Sequence, residues 1–200
     1  MVSLINLVNS RISFPARIAD LITGQTEEYL LPLKTDLRAR LFLMTIFVGL
    51  LVVLQLGWNY ARDTELERLF VNEMTVKPSV WVIALLSPDI QIQAIGSHIS
   101  APGGGINILN GCDGMEVILL LVAAMLIAPI TINQRLLGIL LGSSIIFLCN
   151  QARILALFYT YRSDKTLFNL LHGIVAPISL ILVAALFYML WLGKFAPAEK

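Results

Sequence analysis

The sequence predicts an all-α integral membrane protein, with about four transmembrane helices and an extracytoplasmic loop region between the first and second. Three observations carry this. Hydrophobic residues make up 58% of the chain and charged residues only 14%, against roughly 45–50% and about 25% in a typical globular domain. The mean hydropathy is +0.82. The shortage of charge also extends over most of the chain as apolar runs of about 18 residues or more, the length a spanning helix needs. A net charge of +1 gives no reason to expect a nucleic-acid partner. Cys112 and Cys149, the two cysteines, are too few for a disulfide-dense secreted scaffold.

Residues 1–38 read as a cytoplasmic, partly amphipathic leader. Leu4, Ile5, Leu7, Val8 and Ile12 sit at roughly helical spacing, Pro15 interrupts, and Ile18, Leu21 and Ile22 resume. Such a segment suits the membrane surface. Arg11, Arg17, Asp20, Glu27 and Glu28 break its apolar stretches, so it does not read as a cleavable signal peptide. The first span lies within 39–60. Its uncharged run from Leu41 follows Lys34, Arg38 and Arg40 and closes on Trp58 and Tyr60, as interfacial anchors do.

Residues 61–112 form an extracytoplasmic or re-entrant region. Its start is charged (Arg62, Asp63, Glu65, Glu67, Arg68). Val80–Leu86, between Pro78 and Pro88, is too short to cross and suits a re-entrant or interfacial element. A glycine-rich loop, Gly103–Gly105, precedes Asn110-Gly111-Cys112.

Residues 113–193 are expected to form a three-helix core. The spans run from about Met115 to Ile132, Leu136 to Tyr159 and Leu170 to Leu192, with a tight turn at Asn133–Arg135 and a charged loop at Arg162–Lys165. Residues 194–200 are the cytoplasmic tail. Basic residues set the orientation. With both termini inside, the cytoplasmic side holds eight (Arg11, Arg17, Lys34, Arg38, Arg40, Arg135, Lys194, Lys200) and the outer side five (Arg62, Arg68, Lys77, Arg162, Lys165).

That topology brings three reactive residues to one level. Cys112 stands at the outer mouth before the second span, Arg153 about two turns inside the outer end of the third, and His172 at the outer end of the fourth. Asn150, one turn from Arg153 on the same face, marks a buried polar site, because intramembrane charge is expensive. The thiolate is the nucleophile of cysteine chemistry, and the adjoining helix N-terminus favours an anion. Asp113 and Glu116 have the spacing of a capping box that would fix this helix start. Asp113 also opposes thiolate formation through its charge. His172 could carry the thiol proton to the leaving amine, and Arg153 could steady an oxyanion or hold a substrate carboxylate.

Each residue has a plainer reading: Cys112 as a small apolar residue, Arg153 as a snorkelling side chain, His172 as an interfacial anchor. His98 could replace His172 as base, though no helix would hold it. Cys149 lies too deep for a disulfide with Cys112. No His-Glu-x-x-His zinc motif is present, and no metal or cofactor is expected. Gly142-Ser143-Ser144 marks helix packing rather than a nucleophile turn.

The run Asn110-Gly111-Cys112-Asp113-Gly114-Met115-Glu116 resembles the cysteine region of the exosortase/archaeosortase family. Asn150-Gln151-Ala152-Arg153 is similar to that family's arginine motif, and Leu171-His172-Gly173 to its histidine motif. The resemblance covers roughly residues 105–192. It implies a cysteine protease or transpeptidase of the bacterial inner membrane, with its active site facing outside. Its partner would be an exported protein carrying a C-terminal sorting signal of short motif, transmembrane helix and basic tail; membrane lipid would surround it. Cys112 would be the nucleophile, Arg153 the cation at the transition state or substrate, and His172 the acid/base. Asp113 stands where the family commonly has serine, and a single span precedes the cysteine helix, as in a short-form member. The competing reading is a non-catalytic subunit or scaffold of a surface-polysaccharide or export assembly, in which Arg153 and Asn150 join helices. A transporter has little support, since no paired broken helices occur in two halves.

Overall fold

The computed structural model describes residues 14–109 and 111–195, with side chains from Leu37 onward. The apolar positions expected in residues 1–13, Asn110 and the tail beyond Phe195 lie outside the described residues. By contacts the chain divides into two units, residues 1–46 and 47–200. The described elements are α1 (Phe14–Tyr60), α2 (Glu65–Leu86), three short strands, α3 (Met115–Ile127), α4 (Ile132–Ser163) and α5 (Lys165–Phe195). The protein is a helical membrane protein. Among the described residues, four helices are long and apolar enough to cross a membrane: Leu37–Tyr60 within α1, α2, α4 and α5.

The expected number of such helices is met, but by a different set. α3 has 13 residues, about 20 Å of helix at 1.5 Å per residue, against a hydrocarbon layer of about 30 Å. It stops because Ala128, preceding Pro129, adopts extended backbone, the conformation a following proline favours. In its place α2 reaches spanning length with 22 residues. Pro78 does not break α2, because the helix is π-wound over Arg68–Val76 just before it. The wider turn shifts the carbonyls with which a proline ring would collide.

Contacts nevertheless keep both ends of α2 at the Cys112 end of the bundle. Arg62 and Glu67, at its start, line one cavity together with Asp113. Beyond its other end, Ser87 Oγ lies 2.8 Å from Tyr159 Oη, on the far side of Arg153 along α4. Between them Ser79 donates to Gln151 Oε1 at 2.6 Å. The buried Ser79 hydroxyl is thereby satisfied, as burial requires.

α3, α4 and α5 form the packed bundle. Leu121, Met125, Ile146 and Ala184 are its buried centre, flanked by Phe187 and Trp191. Gly138 and Gly142 let the helices approach. A Cβ on Gly142 would fall 2.4 Å from Leu121 Cδ2 and 2.6 Å from Phe187 Cε1, and one on Gly138 would fall 2.7 Å from Trp191 Nε1. This is the packing role expected of small residues between membrane helices. At the end opposite Cys112, Thr131 and Gln134 form a capping box, and Arg135 Nη2 donates to the carbonyl of Ala128 at 3.0 Å, closing the turn.

A second core lies at the Cys112 end. There Val71, Val76 and Ile83 of α2 meet Ile154, Leu157 and Phe158 of α4. Seated on it is an antiparallel sheet that the sequence did not lead us to expect: β1 (Gln93–Ile95), β2 (His98–Ser100) and β3 (Ile106–Asn107), in that order. Gln93 pairs with Ser100, and His98 with both Ile95 and Asn107. Gly96 turns β1 into β2 at φ +58°. Gly105 presses so close to β2 that a Cβ would fall 2.1 Å from the Ile99 carbonyl oxygen. Arg162 ties the intervening loop down, donating to the carbonyls of Pro102 (2.8 Å) and Gly104 (3.2 Å).

Candidate functional site

Cys112 lies in a tight loop between β3 and α3. Its amide donates to the Leu109 carbonyl at 2.9 Å, and Gly111 and Gly114 take left-handed backbone at φ +82° and +81°. Residues other than glycine adopt that conformation at a cost. Asp113 Oδ1 accepts from the amide of Met115 at 3.1 Å. Asp113 therefore does fix the helix start, but not through the capping box expected with Glu116. The residue preceding the helix is Gly114, which makes no side-chain cap, and Glu116 is exposed. The left-handed Gly114 moves the start of α3 one residue on, out of register for a reciprocal Asp113–Glu116 pair.

α4 supplies the floor of the loop. Asn150 Nδ2 donates to the Cys112 carbonyl at 3.1 Å, and Arg153 Nη1 to the Gly111 carbonyl at 3.0 Å. They are one helical turn apart, so both face the loop. Asn150 is fully buried and Arg153 is 8% exposed. A Cβ at Gly114 would fall 2.9 Å from Asn150 Cγ, so the close approach of loop and helix depends on that glycine. Arg153 Nη2 points its remaining hydrogen-bonding capacity at Cys112 Sγ, 3.8 Å away.

α5 supplies the third side. His172 Nδ1 stands 3.6 Å from Cys112 Sγ, within hydrogen-bonding reach for sulfur. The histidine falls on a π-wound turn, Leu171–Val175, a helix distortion frequent at functional sites. Its ring stacks on Phe168 with centroids 5.4 Å apart and planes inclined by 4°. Phe168 in turn meets the edge of Tyr161. Cys112 is only 6% exposed, whereas His172 is open to its surroundings. In the Nε2-protonated tautomer, Nδ1 can accept the thiol proton.

Two cavities flank the loop. One, of about 320 Å³, contains the thiol and His172 and is walled by β3, Leu157, Tyr161 and Phe168. The other, of about 450 Å³ and more polar, lies on the Asp113 side with Arg62, Asp63, Glu67 and Arg68. Burial pushes the Cys112 thiol up from its ordinary pKa; Arg153 opposes this, while Asp113 and Glu116 reinforce it. Burial likewise raises the Asp113 carboxyl, against the Met115 amide and the Arg62 charge. The resting site thus favours a neutral thiol, with one cation held ready to favour its ionised form.

The structure brings Cys112, Arg153, His172, Asn150 and Asp113 together. Glu116 sits beside the site and contributes its charge and its backbone carbonyl, which accepts from Gln55 Nε2 at 3.2 Å. His98, weighed as an alternative base in a flexible loop, is instead held in β2 and pairs with Asn107. Cys112 and Cys149 are both free thiols. Among the described residues, no group of three His, Cys, Asp or Glu side chains gathers as a metal cage. The sequence reading missed the Gly111 carbonyl, Gly114 and Phe168. Phe168 had a signal, since its i, i+4 spacing from His172 puts both on one helix face.

A helical membrane protein with a buried cysteine held between an arginine and a histidine from successive helices is a narrow class. Residues 30–192 match the family described as transmembrane exosortase. The chain belongs to the transmembrane exosortase family. No protein of curated function and no solved structure matches it.

Proposed function

We propose that this protein is a membrane-embedded cysteine protease or transpeptidase that processes C-terminal sorting signals of exported proteins. The observation that carries this reading is the position of Cys112 Sγ, 3.6 Å from His172 Nδ1 and 3.8 Å from Arg153 Nη2. In the reaction His172 takes the thiol proton as sulfur attacks the scissile carbonyl carbon. The resulting oxyanion would form beside Arg153, whose Nη2 lies 3.8 Å from the sulfur. The C–N bond then breaks, the imidazolium returns the proton to the departing amine, and a thioester remains on Cys112. Water or an acceptor amine attacks that thioester, passing its proton back through His172 and releasing the thiol. A cation in a partly dry site stabilises developing negative charge more than it would in water.

The protein would sit in the bacterial inner membrane with both termini inside and the site facing out. α2, one continuous helix, would lie along the outer side as an interfacial element; α4 and α5 would cross, and the short α3 would cross where the bilayer thins around it. Support comes from Lys34, Arg38 and Arg40 before the first span and from the two ends of α2 lying near the Cys112 end. The substrate would reach the thiol with its own transmembrane helix in the bilayer and its motif in the 320 Å³ groove.

The test uses cells lacking the protein, complemented with wild type, Cys112→Ala, Arg153→Ala or His172→Ala at matched expression. Exported proteins with a C-terminal helix and basic tail are followed by size and location. Membrane-bound precursors should accumulate with all three variants. Normal processing by Cys112→Ala would instead make the thiol structural and favour the scaffold reading.

A further inference from the structure

The groove that holds the thiol has one wall made of unpaired strand edge. Among the described residues β3 pairs only with β2, through His98–Asn107 and Ile99–Ile106. The Ile108 amide donates to the Ser97 carbonyl at 2.9 Å, continuing the same ladder. Antiparallel pairing alternates, so successive residues turn their amides to opposite sides. Ile106 and Ile108 therefore face β2, and the N–H and C=O of Asn107 point away from it. That edge, from Gly105 to Leu109, lines the cavity that contains Cys112 and His172.

The strand's two faces are already committed. Ile106 and Ile108 are buried in the core beside Cys112, and the Asn107 side chain accepts from Ser97 Oγ at 2.9 Å. What remains for a ligand in the groove is backbone. β3 is short, two residues, but carries no lysine or proline to block pairing at its edge. The other outer strand, β1, is exposed and does not line the thiol cavity. The Leu109 carbonyl, engaged by the Cys112 amide, ends the open edge at the turn that presents the thiol.

Resting on the proposed function, we infer that the substrate segment beside the scissile bond binds as an extended strand added to β3, exchanging backbone hydrogen bonds with Asn107. An extended polypeptide is the ligand that matches an outward N–H and C=O at strand spacing. A lipid or other purely apolar occupant would bury those groups unpaired, at a cost. The apolar walls, Leu157, Tyr161 and Phe168, would then receive alternate side chains of the added strand.

The test uses full-length protein in detergent and pools of mixed-sequence tetrapeptides ending in a vinyl sulfone. The Cys112 thiolate adds to the terminal vinyl carbon, a thioether forms, and the carbon beside the sulfone takes up a proton. Intact mass reports the rate. Matched pools carry an N-methyl group on one backbone amide at a time. Methylating the amide that faces the Asn107 carbonyl should slow labelling about fivefold or more, with the neighbouring amides within about twofold. Asn107→Pro removes the outward N–H while leaving the ladder donors of Ile106 and Ile108, and should slow labelling about fivefold more than Asn107→Ala does.

A flat methylation scan overturns strand addition, as does Asn107→Pro labelling as fast as Asn107→Ala. So does absence of labelling by every pool while iodoacetamide still alkylates Cys112. Normal precursor processing by Cys112→Ala overturns the enzyme reading itself, a separate result in a separate assay.

Discussion

Replacing Arg153 by glutamine should make Cys112 harder to ionise. The guanidinium lies 3.8 Å from the sulfur, and it is the one influence on the thiol that opposes burial, Asp113 and Glu116. Two unit charges about 4 Å apart attract by about 1 kcal/mol in water-like surroundings and about 4 kcal/mol at an intermediate effective dielectric. Arg153 is 8% exposed, so the smaller figure is a floor. At fixed pH it corresponds to about a fivefold loss of thiolate. The assay is the pH profile of Cys112 alkylation by iodoacetamide in a Cys149→Ala background. Its midpoint reports ionisation, and its alkaline plateau reports access to the thiol. Arg153→Gln should raise the midpoint and leave the plateau within about twofold. Glutamine keeps an amide donor for the Gly111 carbonyl, and Arg153→Lys, which keeps the charge, should lie closer to wild type. A midpoint that stays put or falls in Arg153→Gln would refute the electrostatic argument.

In the same assay Asp113→Asn should lower the midpoint, because the carboxylate disfavours the neighbouring thiolate. The Asp113 carboxyl is itself pushed up by burial, so the variant and wild type should differ most above the pH at which Asp113 ionises. Gly114→Ala should lower thermal stability in detergent by about 1–2 kcal/mol from left-handed backbone alone. The added Cβ, 2.9 Å from Asn150 Cγ, should increase that loss and loosen the Cys112 loop; stability equal to wild type would contradict it. Phe168→Ala should slow precursor processing about two- to tenfold by removing the ring that stacks on His172, an interaction worth about 0.5–1.5 kcal/mol. Its unfolding midpoint should move little, since Phe168 is only half-buried.

Much of the site was legible in the sequence for a physical reason. A cation inside a membrane segment needs a partner, and Asn150 one turn away identified the face on which that partner had to lie. What the sequence lacked was the partner's identity. Arg153 and Asn150 bind backbone carbonyls, those of Gly111 and Cys112, and a carbonyl leaves no mark in residue type. The sheet was hidden for a related reason. Its strands are two or three residues long, too short for a period-two pattern to emerge. Gly103–Gly105 read as loop, whereas Gly105 makes a close approach to β2, and Gly96, which no pattern singles out, turns β1 into β2. The length of α2 is hidden because Pro78 and Pro88 bracket a short apolar run, and no residue type marks the π-wound stretch that accommodates Pro78.

These hidden contacts bear on how such a site could avoid indiscriminate reaction. Two of the hydrogen bonds from α4 hold the backbone of the Cys112 loop, so they fix where the sulfur sits without ionising it. Burial keeps the resting thiol protonated, against Arg153. In the proposed reaction the negative charge that Arg153 favours appears on the sulfur as His172 takes its proton, and then on the carbonyl oxygen. The second of these charges requires a peptide carbonyl lying against the thiol, where the strand edge of β3 would place it. A freely diffusing electrophile makes neither backbone contact with Asn107 nor an oxyanion beside Arg153. The arrangement would therefore couple nucleophile activation to the binding of an extended peptide. Peptide probes that match that edge should accordingly gain more in labelling rate over iodoacetamide in wild type than in Asn107→Pro. Equal gains would separate binding from activation and leave His172 and Arg153 to act without the strand.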